Sequence, residues 1–336
     1  MNSPITGKEM RLMKEPQKLA FRKEDFEVVY HFFLCEESGE QFTNDQLDTI
    51  NMTQVHNQYR EKYGIPFPDQ IRAIREKYKI SANKMSEILG FGANAYRLYE
   101  AGDVPSISNG RLILSVVQPE EFIRQVEASS HLLTQKESIK FIETARDVAG
   151  HEQRDLWRLS FSPGPGEYSG YRALDIDKIG QVIACFSKMD LFKTKLNKLL
   201  FYADFYMYQL TGHSITGLEY RAIPYGPVPK DYDYLYLKLQ DEQKINIVEV
   251  AFDNGQYGEK IEPATKPQKA YFTETEMAVL EKVMATFKAH TTREIVDISH
   301  HEPAWMENKA DRKLISYQKY AFNLLAFNEN LELASV

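Results

Sequence analysis

The sequence predicts a mainly α protein with a small β-rich N-terminus and a minor extended part near 245–262. Three observations lead there. Apolar residues recur at three- and four-residue spacing through most of 51–160 and again beyond about 172, the period of a helix with one buried face. Phe26, Val28, Tyr30 and Phe32 instead recur at every second position, with Glu27 and His31 between them, the period of a strand. Between the helical stretches, Ser160–Gly170 concentrates Gly, Pro and Ser, which break both periods and favour turns. The expected organisation is a ribbon-like segment at 1–43, a helical domain at 51–125, a connecting helix and linker at 126–171, and a second, mostly helical domain at 172–330.

Length and composition bound the function. A chain of 336 residues suits two or three domains. Hydrophobic residues make up 43% and aromatics 12%, enough apolar surface for packed cores. No stretch approaches the ~18–20 apolar residues of a membrane span, and Thr6-Gly7-Lys8-Glu9 interrupts the start before any leader-like run. A soluble, cytoplasmic protein is expected. The net charge of −7 confines any DNA contact to one patch, and it also suits a basic protein partner. Cys35 and Cys185 are the only cysteines, which excludes a disulfide framework and a thiolate-only zinc site within one chain.

Ser3-Pro4-Ile5-Thr6-Gly7 and Cys35-Glu36-Glu37-Ser38-Gly39 share a pattern, two small polar or thiol residues three apart and then Gly. A zinc ribbon presents two such knuckles with Cys at every paired position. Hydroxyls cannot replace thiolates at neutral pH, so the segment reads as a ribbon that keeps its turns without its metal, or as two unrelated surface turns. No cofactor is expected.

Residues 66–117 carry the strongest local pattern. Asp69 is placed to cap a helix holding Ile71, Ile74 and Tyr78, and Ser81 a second holding Met85, Ile88 and Leu89. Gly90-Phe91-Gly92 turns into a third, Ala93–Glu100, ended by Gly102, and Val104-Pro105-Ser106 opens a fourth with Leu112, Leu114 and Val117. Short helices joined by a Gly-containing turn suit a helix-turn-helix, and also a four-helix scaffold with no DNA role. In the first reading Asn94 pairs with adenine and Arg97 with guanine or a phosphate. Lys84, Arg72, Arg75, Lys77 and Lys79 are phosphate contacts or solvated charges. The candidate DNA-binding set is Asn94, Arg97, Lys84 and Tyr96.

Ser81–Gly102 resembles the helix-turn-helix of MqsA-type antitoxins, which a zinc ribbon precedes. The resemblance implies that an Asn and an Arg of the third helix read the operator. Asn94 matches the first; Leu98 stands where the Arg is expected, and Arg97 lies one place earlier, about 100° around the helix.

Farther on, Leu196, Leu199, Leu200, Ala203, Met207 and Leu210 predict an amphipathic helix over 194–211, stopped by Gly212. Tyr225-Gly-Pro-Val-Pro229 forms a rigid corner. Thr273–Glu276 and Thr291–Glu294 have capping-box spacing. Catalytic signatures are missing: adjacent His300 and His301 cannot share one helical face, and neither a phosphate loop nor a Gly-x-Ser-x-Gly elbow occurs. Cys185, in an apolar run, reads as a buried thiol, and Asp204 as a hydrogen-bonded structural acid. Eight tyrosines crowd Tyr202–Tyr236; they suit a protein interface or packing between helices.

Lys195–Asp204, Gly212–Thr216, Tyr225–Val228 and Ser299–Trp305 together resemble the Panacea, or SocA-associated, domain over about 175–322. The resemblance implies a non-catalytic antitoxin module that neutralises a toxin by direct binding, with Tyr206, Tyr220, Tyr225, Tyr232 and Tyr234 as candidate toxin contacts. His300, Trp305 and the Tyr225 corner are expected to organise the fold. Taken with the front module, it implies autoregulation at operator DNA. Half-sites one DNA turn apart imply a homodimer, to which 118–155 contributes or against which it packs internally. Two alternatives remain open here, a transcriptional regulator with a ligand-sensing C-terminal domain and a protease adaptor that delivers the toxin. Neutralisation without DNA binding is a third.

Overall fold

The computed structural model describes residues 1–151, 164–252 and 255–327. It is mainly α with minor β, and among the described residues the strands form three small antiparallel sheets. The chain divides into two compact units, the described parts of Met1–Val55 with Phe161–Val336, and of His56–Ser160. This cuts across the four-part expectation, because the β-rich N-terminus belongs to the same unit as the C-terminal half.

Strands β1 (Arg11–Phe21) and β2 (Glu24–Leu34) form a long hairpin. Its two-residue turn, Arg22-Lys23, has φ of 48° and 69°, the left-handed pair that matches strand twist. The far edge of β2 meets β3 (Gln41–Phe42) only at Phe33 and Leu34. Helix α1 (Asp45–Tyr63) serves the remainder. Asn51 accepts from His31 N at 2.8 Å and donates to His31 O at 2.9 Å. Gln54 does the same at Val29, with both bonds at 2.9 Å. Two side-chain amides thus stand in for a missing strand and protect the edge.

The hairpin is held by residues from the other end of the chain. Lys14 Nζ donates to Phe322 O at 2.9 Å, the His31 ring meets the Phe322 ring edge-on at 5.0 Å, and Gln318 donates to Gln54 at 2.8 Å. Burial lowers the Lys14 amine to about 8. Burial and then the Lys14 charge lower His31 to about 4, so the imidazole is neutral at pH 7.

The two knuckle-like turns meet. Gly7 N donates to Ser3 O at 2.9 Å and Gly39 N to Cys35 O at 2.8 Å, and Thr6 Oγ1 lies 3.4 Å from Cys35 Sγ. The hydroxyls of Ser3, Ser38 and Thr6 hold the Cys35 thiol down at about 6. Among the described residues no group of three or more His, Cys, Asp or Glu is placed to hold a metal ion.

In the second unit, α2 (Pro68–Lys77), α3 (Ala82–Ile88), α4 (Ala95–Ala101), α5 (Ile107–Ser115), α6 (Pro119–Ala128) and α7 (Gln135–His151) enclose one core. It includes Ile71, Ile74, Met85, Ile88, Ile113, Phe122 and Phe141, with Tyr78 stacked on Phe122 at 3.9 Å. Ser81 and Ser106 cap α3 and α5 as their sequence positions predict. Asp69 does not cap α2. The N-cap is Phe67, because Pro68 already has the φ of a first helical residue and its missing N–H would have no partner within the helix. The linker Ser160–Gly170 lies partly outside the described residues, as does part of 118–155.

In the first unit follow α8 (Ile176–Cys185) and α9 (Lys193–Thr211), the hairpin β4 (Tyr220–Ile223) and β5 (Gly226–Pro229), and α10 (Tyr232–Asp241). The hairpin β6 (Ile245–Ala251) and β7 (Tyr257–Pro263) occupies the expected extended part. Then come α11 (Glu274–Phe287), α12 (Thr292–His301), α13 (Pro303–Met306) and α14 (Tyr317–Tyr320). Both expected capping boxes are present at Thr273 and Thr291, and Gly212 ends α9 at φ 74°. Helix α9 departs from the amphipathic expectation, since Lys195, Asn197, Lys198, Asp204 and Gln209 are buried along with its apolar residues. It is the central helix, and its polar side chains face internal partners instead of water. No described helix is long and apolar enough to cross a membrane.

Candidate functional site

The interior of the first unit is organised around Asp204. Its carboxylate is buried and accepts from Ile215 N at 2.8 Å, Thr216 N at 2.9 Å, Thr216 Oγ1 at 2.5 Å and Tyr220 OH at 2.7 Å. Four donors ending on one side chain of α9 fix the connection that leads into β4. Burial still outweighs these bonds and raises the Asp204 pKa. All four lie within the fold, so the carboxylate is a structural acceptor, as its sequence position suggested.

A second knot joins β4 to the end of α12. Trp305 Nε1 donates to Ile223 O at 2.7 Å, and His300 stacks on the Trp305 ring at 3.9 Å. Glu302 is buried and accepts from Leu325 N and Ala326 N at 2.9 and 3.1 Å. His301 points to solvent. At the β4–β5 corner Gly226 has φ 95°, and a Cβ there would lie 2.5 Å from Ser299 Oγ and 2.6 Å from Lys198 Cε. The corner therefore requires glycine for both conformation and space. Cys185 is buried, and desolvation raises its thiol to about 11, the state of an inert packing residue.

Next to this corner opens a cleft of about 930 Å³, within the range of ligand and peptide sites. The N-terminal turns of α9 and α12 contribute Lys193, Lys195 and Arg293, and β5 and β7 contribute Val228, Tyr257 and Glu259. Lys193 is already committed, paired with Asp233 at 2.6 Å and with Glu259. Tyr225 and Tyr257 are 69% and 74% exposed, rigid aromatic area facing solvent beside a polar floor, the composition of an interaction hot spot.

The motifs just described share one stretch of chain with a known family. Residues 196–306 match the antitoxin SocA-like, Panacea domain. The match runs from the first leucine of the buried α9 stripe to the residue after Trp305, and so contains both the Asp204 node and the Trp305 knot. Its antitoxin description bears on function at family level and points to a non-catalytic regulator. No curated protein matches the chain.

Within the Panacea-like stretch the five candidate contact tyrosines part company. Tyr225 and Tyr232 line the cleft, and the Tyr232 ring carries the Lys193 ammonium at 5.6 Å. Tyr234 is exposed. Tyr206 is half-buried and stacks on Phe327 at 4.4 Å. Tyr220 is fully buried on Asp204, so its assignment as a contact is corrected. Of the other crowded tyrosines, Tyr202, Tyr208 and Tyr236 are also buried. Sequence reasoning missed the cleft residues Lys195, Lys198, His290, Phe252 and Tyr257. The available signal was a pair of lysines three apart inside a helix otherwise rich in leucine and aromatics.

In the second unit the candidate DNA set divides likewise. Asn94 is the N-cap of α4 and makes no side-chain cap; it is exposed, as is Arg97. Tyr96 is buried, donates its N–H to Ser86 Oγ at 2.9 Å and its OH to Ile71 O at 2.8 Å. It ties α4 to α2 and α3 and cannot reach a ligand, which corrects its assignment. Lys84 is paired with Glu87 at 2.7 Å and Glu137 at 3.4 Å. Arg75 holds Glu100 in a two-pronged bond at 2.5 and 3.2 Å, and Lys77 donates to Val117 O at 2.7 Å. Asn94 and Arg97 are the members of the set that stay exposed and uncommitted.

Proposed function

We propose that the chain is the antitoxin of a toxin–antitoxin pair. Its larger unit binds the toxin directly and neutralises it, and the unit His56–Ser160 binds operator DNA as a helix-turn-helix module. The match of residues 196–306 to the antitoxin SocA-like, Panacea domain carries this reading. The exposed Tyr225 and Tyr257 beside a polar cleft support a protein-binding role. For operator binding, the support is the exposed Asn94 and Arg97 at the start of α4, a helix whose apolar side is anchored by Tyr96. A single copy covers one half-site, so the operator-bound form is a homodimer. The turns around Cys35 stand in this reading for a ribbon in which hydroxyls have replaced three metal ligands.

The test is a growth assay. The adjacent open reading frame is expressed from an inducible promoter with and without this chain. Arrest by the neighbour alone, relieved by the chain at unchanged toxin level, is the expected result. A harmless neighbour contradicts the antitoxin reading, and relief accompanied by loss of the toxin protein moves the mechanism to delivery for degradation.

A further inference from the structure

The floor of the cleft holds two lysines that hydrogen-bond to carbonyls instead of to carboxylates. Lys195 and Lys198 are 5% and 0% exposed. Lys195 Nζ donates to His290 O at 2.6 Å, and Lys198 Nζ to Pro227 O at 3.0 Å. An ammonium carries three N–H donors, so one carbonyl apiece leaves donor capacity unused. Among the described residues neither makes an ion pair, although Asp190 and Glu294 act on Lys195 through space. Burial lowers Lys198 to about 7. On the same wall His290 Nδ1 is buried without a partner.

The surroundings add to the positive potential. The first turn of α9 has no side-chain cap, so it brings unsatisfied N–H groups and the positive end of a helix dipole to the cleft; the first turn of α12, which lines the cleft beside it, is closed by the Thr291–Glu294 capping box. Arg293, in that first turn of α12, is exposed and in no ion pair among the described residues. The acids on the wall do not offset this. Glu259 is engaged by Lys193, Asp190 by Lys260 at 3.2 Å, and Glu249 is solvent-exposed. Buried amines without a counter-charge are costly, and an arriving anion relieves that cost.

We propose that this cleft receives the carboxylate of an acidic segment of the partner protein, seated against Lys195 and Arg293 in the field of the buried Lys198, with Tyr225 and Tyr257 flanking the segment that carries it. A free small anion would satisfy the amines but would leave the two exposed rings unused; an acidic peptide segment uses both. The identity of the partner rests on the antitoxin reading, whereas the carboxylate site is tested without it.

The full chain, with lysine labelled at Cε with carbon-13, is titrated by NMR with acetyl-triglutamate amide, its triglutamine twin, and inorganic phosphate. Saturable shifts at the Lys195 and Lys198 signals with the glutamate peptide, and none with glutamine, are expected. Arg293→Glu keeps an acidic first turn on α12, so it leaves the melting temperature unchanged while weakening the peptide about tenfold; Lys195→Met removes the response. Silence toward the glutamate peptide, equal affinity in Arg293→Glu, or phosphate binding tighter than the peptide overturns the proposal. The growth assay separates the two readings. Neutralisation unchanged in both variants overturns the cleft and spares the antitoxin, whereas peptide binding without neutralisation keeps the carboxylate site and overturns the antitoxin.

Discussion

Asp204 and Tyr220 show how much a single buried acceptor holds in this fold. Replacing Asp204 with alanine strands two backbone N–H groups and two hydroxyls at once, whereas Tyr220→Phe removes one donor and leaves the other three bonds in place. Urea unfolding is expected to show a loss of about 3–5 kcal/mol for the first and about 1–2 kcal/mol for the second. Equal losses would mean that Asp204 does not organise the connection into β4. His31 supplies the pH-sensitive residue. Its folded pKa of about 4 lies below the ordinary histidine value of 6.5, so between these limits the unfolded chain binds the extra proton. Its contribution is present above pH 6.5 and is lost as the pH falls toward 4, by about 3 kcal/mol in all. Melting temperatures measured across that window are expected to fall more steeply for the natural chain than for His31→Phe. Parallel curves would contradict the buried neutral imidazole.

Among the elements, α4 carries the DNA prediction. Asn94→Ala and Arg97→Ala are both exposed changes, expected to weaken operator retention in a gel shift by about 1–3 kcal/mol each without altering stability. Lys84→Ala is expected to have the smaller effect, because that ammonium is already shared between Glu87 and Glu137. Unchanged retention in both α4 variants would remove α4 from the DNA interface. Elements were also the most legible part of the fold. The serine caps, both capping boxes, the glycine stop at 212 and the β6–β7 hairpin follow from local chemistry, and local chemistry survives folding. Helix α9 was misread because spacing identifies an apolar stripe but not the fate of the polar residues beside it. Lys198, Asp204 and Gln209 found partners far along the chain, and such pairings leave no local trace. The candidate site suffered for the same reason. Tyr96 and Tyr220 have the composition of contact residues, yet each hydroxyl found an internal acceptor.

For the whole molecule, the division of the chain was the least legible feature. The β1–β2 hairpin is separated from Phe322 by some three hundred positions in sequence, and yet Lys14 and His31 both rest on that residue. The N-terminus and the Panacea-like stretch are therefore expected to unfold together. Phe322 is fully buried, and Phe322→Ala is expected to cost about 3–5 kcal/mol and to speed amide exchange in β2 and α9 alike, while Ile71–Phe122 keeps its protection. Faster exchange confined to the hairpin would contradict a shared unit. For the same reason a fragment beginning at residue 170 lacks a docked part of its own unit, and the full chain is the right reagent for partner binding.

The most direct measurement of the central claim is therefore calorimetric titration of the purified full chain with the purified product of the adjacent gene. The antitoxin reading predicts a saturable complex that forms without any protease, weakens with added salt and abolishes the neighbour's toxic activity in the same tube. No heat of binding with an active toxin, or binding that leaves its activity intact, would contradict it.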